Sequence, residues 1–458
     1  MSRRPATLLA TAATLALALP ATSLAAGFGP PRGLRYGAPA PLPGRAAVVL
    51  NEDALGVAVA DTGGTLASGA AGPHTLATAF TNGVFLDRKT FTPTNTAVGP
   101  DNGQLAPYAH TGLAIAGLHR THTASQAVLS FGRLGPNRAQ AGALHPVGPA
   151  GLQAHAPVLA ADPAGDLAMA FAVCRDGGCR SSLVYLATRR AGSSHITTTR
   201  VGTSTRTLPR VAVAINGRGD ALAVWTDLER VRARVRTAGG TLRATQTVGA
   251  TQRGSLAAPS AALSLHRAEL VGWSTQVVHE GDPTAGEVRV AQSRGGAFAQ
   301  TRLATLPALS GQSVASAVVR VAFGATGLRR LAWTGYDGGH FTVRTALLHG
   351  AANSGTASLV DAQTLSAPRD DAILDDLELA GPRTLVVLRS GLRGDEPQPG
   401  GEAVQVAEQR TASGPFALAT VSGSDPVDGP ADAALIPGRA LVVYGATSMG
   451  ARYVEEVG

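Results

Sequence analysis

Aromatic residues make up only 4% of this 458-residue chain, so its core cannot be built on large rings. The interior must come from Ala, Val and Leu. Cysteine occurs twice, at Cys174 and Cys179, which excludes a disulfide-dense scaffold. Lysine occurs once, at Lys89, so arginine carries nearly all of the positive charge, and the formal net charge is +8. No basic run is interleaved with aromatics as a single-stranded nucleic-acid platform requires, so nucleic acid is not an expected partner. Long helices are disfavoured by 56 Gly and 28 Pro. Beyond the N-terminus no segment reads as a membrane span.

What the N-terminus does contain is an export pattern. Arg3 and Arg4 precede an apolar run from Leu8 to Leu19, followed by small residues up to Ala26. Residues 1–26 are therefore expected to be a signal peptide, residues 27–44 a Gly/Pro-rich segment, and residues 45–458 a single domain. The expected location is secreted or extracellular. In that compartment Cys174 and Cys179 are expected to form a disulfide. They flank the turn sequence RDGG between two apolar runs, so the bond would staple one hairpin.

A repeat organises the rest. The stretch RVAVAINGRGDALAVWTD (Arg210 to Asp227) has counterparts in RAAVVLNEDALGVAVAD from Arg45 and APVLAADPAGDLAMAFAV from Ala156. Each is an apolar run, an Asn- or Asp-led turn and a second apolar run. Asn and Asp start turns because their side chains hydrogen-bond nearby backbone, so each copy reads as two antiparallel strands. The second run recurs eight times, from Leu55, Gly112, Gly165, Gly219, Ala268, Leu328, Arg383 and Arg439. One position in it is large: Phe171, Trp225, Trp273, Trp333, Leu388 and Tyr444, with Leu118 a rough fit and Ala60 an exception. All three tryptophans fall in this column, and packing between neighbouring units is the reading preferred over an aromatic ligand box. Third strands such as VRARVRTAGG and fourth strands such as TLRATQTVG follow.

Four strands per recurring unit resemble a β-propeller blade. The resemblance covers nearly all of the chain after the export segment, at the level of architecture, without the signature motifs of a particular propeller family. It implies an all-β propeller of about eight four-stranded blades, closed by N- and C-terminal strands. Seven blades is the alternative, because the second unit around TGLAIAGLHRTH matches least well. The segment DDAILDDLELA from Asp370 has a local helical look, but its place in the repeat makes it a first strand.

In a propeller the loops joining second to third strands gather at one mouth of the channel. Here they carry His119 and His122, Asp227 and Glu229, then His279, Glu280, Asp282 and Glu287. Tyr336, Asp337 and His340 follow, then Asp395, Glu396 and Glu402. Imidazoles and carboxylates in one place can ligate a metal or exchange protons. His119, His122, His279, His340 and Tyr336 are the candidate ligand-binding residues. Glu280, Asp282 and Asp337 are the candidate acids and bases. No cofactor is called for, although a divalent metal fits those residue types. Arg230, Arg232, Arg234 and Arg236 alternate along one strand and so share a face, read as a solvated outer strand. Two RGD tripeptides, from Arg218 and Arg393, read as turn sequence. Fold alone does not assign an activity. The leading expectation is a secreted, monomeric binding module for a protein or an anionic cell-wall polymer. The alternative is an extracellular hydrolase or lyase working at the mouth.

Overall fold

The computed structural model describes residues 27–33, the strand segments 46–50, 56–60, 76–81, 84–86 and 104–108, and most of residues 112–456. Within that last span it omits 121–124, 136–137, 141–143, 163, 177–178, 206–207, 251–255, 276–285, 307–317, 325, 338, 351–356, 369, 394–395, 398–401, 424–426, 428–429 and 447–449. Among the described residues there is no helix.

The strands form several four-stranded antiparallel sheets, all but one of them meanders in chain order. Among the described residues, the strands fall into eight successive groups, or units. The third runs through Gln153–Ala161, Leu167–Cys174, Ser181–Arg189 and Ile196–Thr205. The fourth runs through Val211–Ile215, Ala221–Asp227, Arg230–Arg236 and Gln246–Ala250. The second and third share one larger sheet, joined at a single parallel bridge between Gln153 and Ser125. The eighth has Asp432–Ile436, Arg439–Ala446 and Gly450–Glu455, and takes its fourth strand from the other end of the chain. Arg32–Gly33 pairs with Gly450–Glu455, with Arg32 opposite Tyr453. The first strand of each unit packs on the first strand of the next, from Ala46–Leu50 onto Gln104–Tyr108 and onward. Asp432–Ile436 in turn packs on Ala46–Leu50.

The repeated turn explains itself in hydrogen bonds. Asn216 Oδ1 accepts from the backbone N–H of Arg218 at 3.1 Å and of Asp220 at 3.0 Å. Asn216 O accepts from Gly219 N at 2.7 Å. Gly219 adopts φ +78, a left-handed conformation that favours glycine. Asp162 plays the same part in the third unit, accepting from Asp166 N at 2.9 Å, and Ser264 in the fifth, accepting from Ala268 N at 2.8 Å. The first RGD tripeptide is thus the far side of this turn. The second lies partly outside the described residues.

These turns also tie unit to unit. Asn216 Nδ2 donates to Ser264 O at 2.9 Å, one turn residue to its counterpart in the next unit. Second strands are continuously apolar because neighbours cover both faces; every residue of Leu167–Cys174 is buried. The large column lies at these contacts. Phe171, Trp225, Trp273, Trp333, Leu388 and Tyr444 are all buried. Trp225 packs on Gly202, and its Nε1 donates to Thr203 O at 3.2 Å; both partners are in the preceding unit. Trp273 packs on Gly249 and Phe171 on Gly148 in the same way. A Cβ on Gly202 would come within 2.3 Å of the indole, so glycine is the receiving surface. Leu118 is buried as well, while the Ala60 side chain lies outside the described residues.

DDAILDDLELA forms the first strand Asp371–Ala380 of the seventh unit. Cys174 and Cys179 are joined in a disulfide, with Cα atoms 4.8 Å apart, across the hairpin between Leu167–Cys174 and Ser181–Arg189.

Candidate functional site

The residues expected at the mouth are in part visible. Tyr336, Asp337 and His340 do come together, on one hairpin. Asp337 is exposed and pairs with Arg344 at 2.6 Å. Tyr336 meets Phe341 edge-on, with centroids 5.2 Å apart. His340 Nδ1 is 3.7 Å from Asp371 Oδ1. Asp227 pairs with Arg232 at 3.6 Å, and Glu287 holds Arg289 at 2.6 Å and Arg302 at 3.2 Å. Glu402 is buried against Arg389 at 2.9 Å. Glu229 is exposed. His119 lies in the strand Gly112–Arg120, with its side chain outside the description, as is that of Glu396. His122, His279, Glu280, Asp282 and Asp395 lie outside the described residues.

A more coherent constellation lies at the other end of the sheets. In an antiparallel meander the first-to-second and third-to-fourth turns share one end, opposite the second-to-third loops. Between the third and fourth units these turns enclose a cavity of about 110 Å³. Arg189 and Arg190 enter it from the end of Ser181–Arg189, and Arg236 from the end of Arg230–Arg236. Ser193 and His195 enter from the third-to-fourth connection, Thr197 from the start of Ile196–Thr205, and Gly219 from the repeated turn.

Arg190 is anchored. Its Nη1 donates to Asp166 Oδ2 at 2.6 Å and to Arg218 O at 2.8 Å, and its Nη2 to Ala238 O at 3.3 Å. A Cβ on Gly219 would meet Arg190 Nη1 at 2.0 Å, so the turn glycine makes room for this guanidinium. Arg189 donates from Nε to Ser193 O at 2.6 Å, and its guanidinium lies 3.7 Å from the centre of the Phe131 ring. Arg236 is different. Its Nε is buried without a hydrogen-bond partner. Burial first, and then the neighbouring Arg190 charge, lower its pKa. Among the described residues, no Asp or Glu lines the cavity.

The alternating arginines on Arg230–Arg236 therefore do not share one fate. Arg232 Nη1 donates to Thr247 Oγ1 at 2.6 Å within its own unit. Arg234 donates from Nη1 to Val201 O at 3.0 Å in the preceding unit, and Arg236 faces the cavity. Strand alternation shows that the four share a face; it does not show what faces them.

Two further groups stand out. On the first strands, half-buried Asp376 and Glu378 of the seventh unit meet Asp432 of the eighth, with Arg320 of the sixth nearby. Asp376 is hydrogen-bonded to Asp432 and accepts from Ala433 N at 3.1 Å. Burial raises the pKa of Asp376, although Arg320 opposes it. Burial and repulsion from Asp376 and Asp432 raise that of Glu378 further. Beside them burial pushes Asp375 up to about 6, against the pull of Arg389 at 2.9 Å. The second group is His155, Cys174 and Cys179, whose donor atoms lie within 4.8 Å of one another. Metal-ligating residue types are thus gathered at the disulfide, and His155 is not among the histidines singled out in the sequence.

No family model matches the chain, and no curated protein matches it. Solved structures do. An ulvan lyase, described as a new family of polysaccharide lyase, aligns at 11% identity over 94% of this chain and 95% of its own, with a TM-score of 0.45. A puromycin hydrolase mutant aligns at 15% over 91% of this chain, with a TM-score of 0.45; the chain spans 61% of that enzyme. An α-L-arabinanase from Penicillium chrysogenum aligns at 12% over 68% of this chain and 92% of its own, with a TM-score of 0.36. Likenesses of this size say nothing about activity.

Proposed function

We propose that the chain is an extracellular β-propeller of eight four-stranded blades that binds an anionic cell-wall polymer through the cavity lined by Arg189, Arg190 and Arg236. Three features support the architecture. First strands contact one another in succession, the eighth returns to the first, and Arg32–Gly33 completes the eighth unit. The disulfide and the export pattern of residues 1–26 fit an extracellular location. Among the described residues, no helix is long and apolar enough to cross a membrane.

The observation that carries the binding reading is Arg236. Its Nε is buried without a hydrogen bond, and with Arg189 and Arg190 it lines a cavity whose lining, among the described residues, includes no Asp or Glu. An oxyanion in the cavity supplies a counter-charge to the Arg236 guanidinium, beside Arg190, which is itself paired with Asp166 at 2.6 Å. Arginine suits this task because its planar fork matches carboxylate and phosphate geometry.

The test is binding of the mature chain to a polyol-phosphate wall polymer, a polyuronate and a neutral glucan, by calorimetry at two salt concentrations. Binding to a polyanion that weakens with salt, and weakens about tenfold or more in Arg236→Ala with the melting temperature unchanged, is expected. Equal binding to the neutral glucan, or an unaffected Arg236→Ala, overturns the reading.

A second reading, a hydrolase or lyase, draws on the Asp376–Asp432 carboxylate pair and Glu378, since carboxyl groups of raised pKa can deliver a proton. It predicts turnover of a polysaccharide that Asp376→Asn abolishes. A polymer that binds without being cut removes it.

A further inference from the structure

The Cys174–Cys179 disulfide has a third party. His155 lies on Gln153–Ala161, paired with Ala172 on the strand that ends in Cys174. This register brings its Nε2 to 3.6 Å from Cys179 Sγ. Cys179 is fixed there by its turn. Its N–H donates to Asp176 O at 3.1 Å, Arg180 N donates to Asp176 Oδ1 at 2.8 Å, and Cys179 itself adopts φ 51. Cys174 is buried, whereas His155 and Cys179 are half-buried, so the group has an inner wall and an open side.

We propose that reduction of this disulfide converts the group into a zinc site, with His155 Nε2, Cys174 Sγ and Cys179 Sγ as ligands and water in the fourth position. The spacing fits. Zinc bonds sulfur at about 2.3 Å and imidazole nitrogen at about 2.0–2.1 Å, in a tetrahedron. Those lengths place a nitrogen and a sulfur ligand about 3.6 Å apart, and two sulfur ligands about 3.8 Å apart. The nitrogen-to-sulfur edge from His155 to Cys179 is already present at 3.6 Å, and that from His155 to Cys174 falls within the 4.8 Å that spans the three donor atoms. The two sulfurs, bonded at about 2.0 Å in the oxidised chain, must separate by about 1.8 Å to reach theirs. Gly177 and Gly178 lie between the cysteines in the sequence, and glycine is the residue least resistant to such a backbone adjustment.

The chemistry balances with a dithiol as reductant. The Sγ–Sγ bond accepts two electrons and two protons, giving two thiols, while the dithiol is oxidised to its own disulfide. Zinc then displaces the two thiol protons and accepts a lone pair from His155 Nε2. Arg175 and Arg180 adjoin the two cysteines in the sequence, and cations beside a thiol favour the thiolate that zinc requires. Metal and disulfide are therefore alternatives: each staples the same hairpin and each excludes the other. This inference is independent of the anion site, which lies at the other end of the third unit.

The experiment uses the mature chain reduced with a phosphine, titrated with Zn²⁺ and with Co²⁺ as its spectroscopic stand-in. One equivalent is expected to bind, with a sulfur-to-cobalt charge-transfer band and a raised melting temperature. The oxidised chain is expected to show neither. His155→Gln keeps both sulfurs and is expected to weaken Zn²⁺ binding by roughly 10- to 100-fold or more. Three results overturn the proposal. The first is a reduced chain that binds no more Zn²⁺ than the Cys174→Ser, Cys179→Ser double variant. The second is His155→Gln binding as tightly as the parent. The third is loss of the β-sheet circular dichroism on reduction that Zn²⁺ does not restore.

Discussion

Arg267 donates from Nε to Asp220 Oδ2 at 2.7 Å, fastening the repeated turn of the fourth unit to that of the fifth. Asp220 is fully buried and also accepts from Ala238 N at 2.8 Å. Burial by itself would raise its pKa. The donors from Ala238, Arg267 and Asn216 outweigh burial and hold it below the usual carboxylate value. The stability it contributes is therefore complete above the unfolded value of about 3.9 and is lost as pH falls through the folded one. Asp220→Ala leaves the buried backbone donor unmet and removes the charge that Arg267 holds. The expected loss is about 3–5 kcal/mol at neutral pH, shrinking in acid, as urea midpoints measured from pH 7 down to pH 3 will show.

Gly202 and Trp225 form a joint in which one partner must be small. Gly202→Ala is expected to cost about 1–3 kcal/mol by overpacking, and Trp225→Ala about 3–5 kcal/mol by leaving a cavity. In the double variant the overpacking cost disappears, so the two changes cost less together than the sum of each alone. Additive losses in thermal unfolding would show that the glycine does not receive the indole.

Glu269 is buried, and its Oε1 makes no hydrogen bond, with Arg243 Nη1 3.9 Å away. Burial pushes its pKa up to about 7, beyond what Arg243 restores. A raised folded pKa gives a contribution that is present below the unfolded value of about 4.3 and is lost as pH rises through about 7. Glu269→Gln removes this dependence. The expected outcome is a variant more stable than the parent at pH 8.5 by on the order of 1–3 kcal/mol, the gain shrinking as pH falls and vanishing below the unfolded value of about 4.3. A gain independent of pH contradicts it.

Removing the staple through the Cys174→Ser, Cys179→Ser double variant is expected to cost about 2 kcal/mol, the chain-entropy value for so short a loop. Calorimetric melting in the absence of metal measures it.

Much of the fold was legible because its causes are local. Asn216 and Asp162 announce the turns by their chemistry, and the Trp225 column announces a recurring inner position by its size. Even DDAILDDLELA, helical on its own pattern, was placed by its rank in the repeat. The candidate site was not legible in this way. Arg189, Arg190 and Arg236 come from two units, and nothing in their spacing says that they surround one cavity. The second-to-third loops drew notice because they are rich in His, Asp and Glu, whereas the arginine cavity opens at the other end of the sheets. His155 joins Cys174 and Cys179 only through strand register. Asp376 and Glu378 read as ordinary strand residues until Asp432, from the neighbouring unit, is set beside them.

The pairing of Arg32–Gly33 with Gly450–Glu455 puts a clock into the folding of this chain. A strand that emerges early has to wait, unpaired, for a partner that emerges late, while every intervening sheet can form from neighbours in sequence. Completion of the eighth unit is therefore expected to be the last event in refolding, since such distant contacts reward the chain only after the intervening loop has been closed. Until then the edge of Gly450–Glu455 stands open to any other extended segment, including the same segment of a second copy. A peptide matching residues 28–33, supplied during refolding, is the natural competitor for that edge.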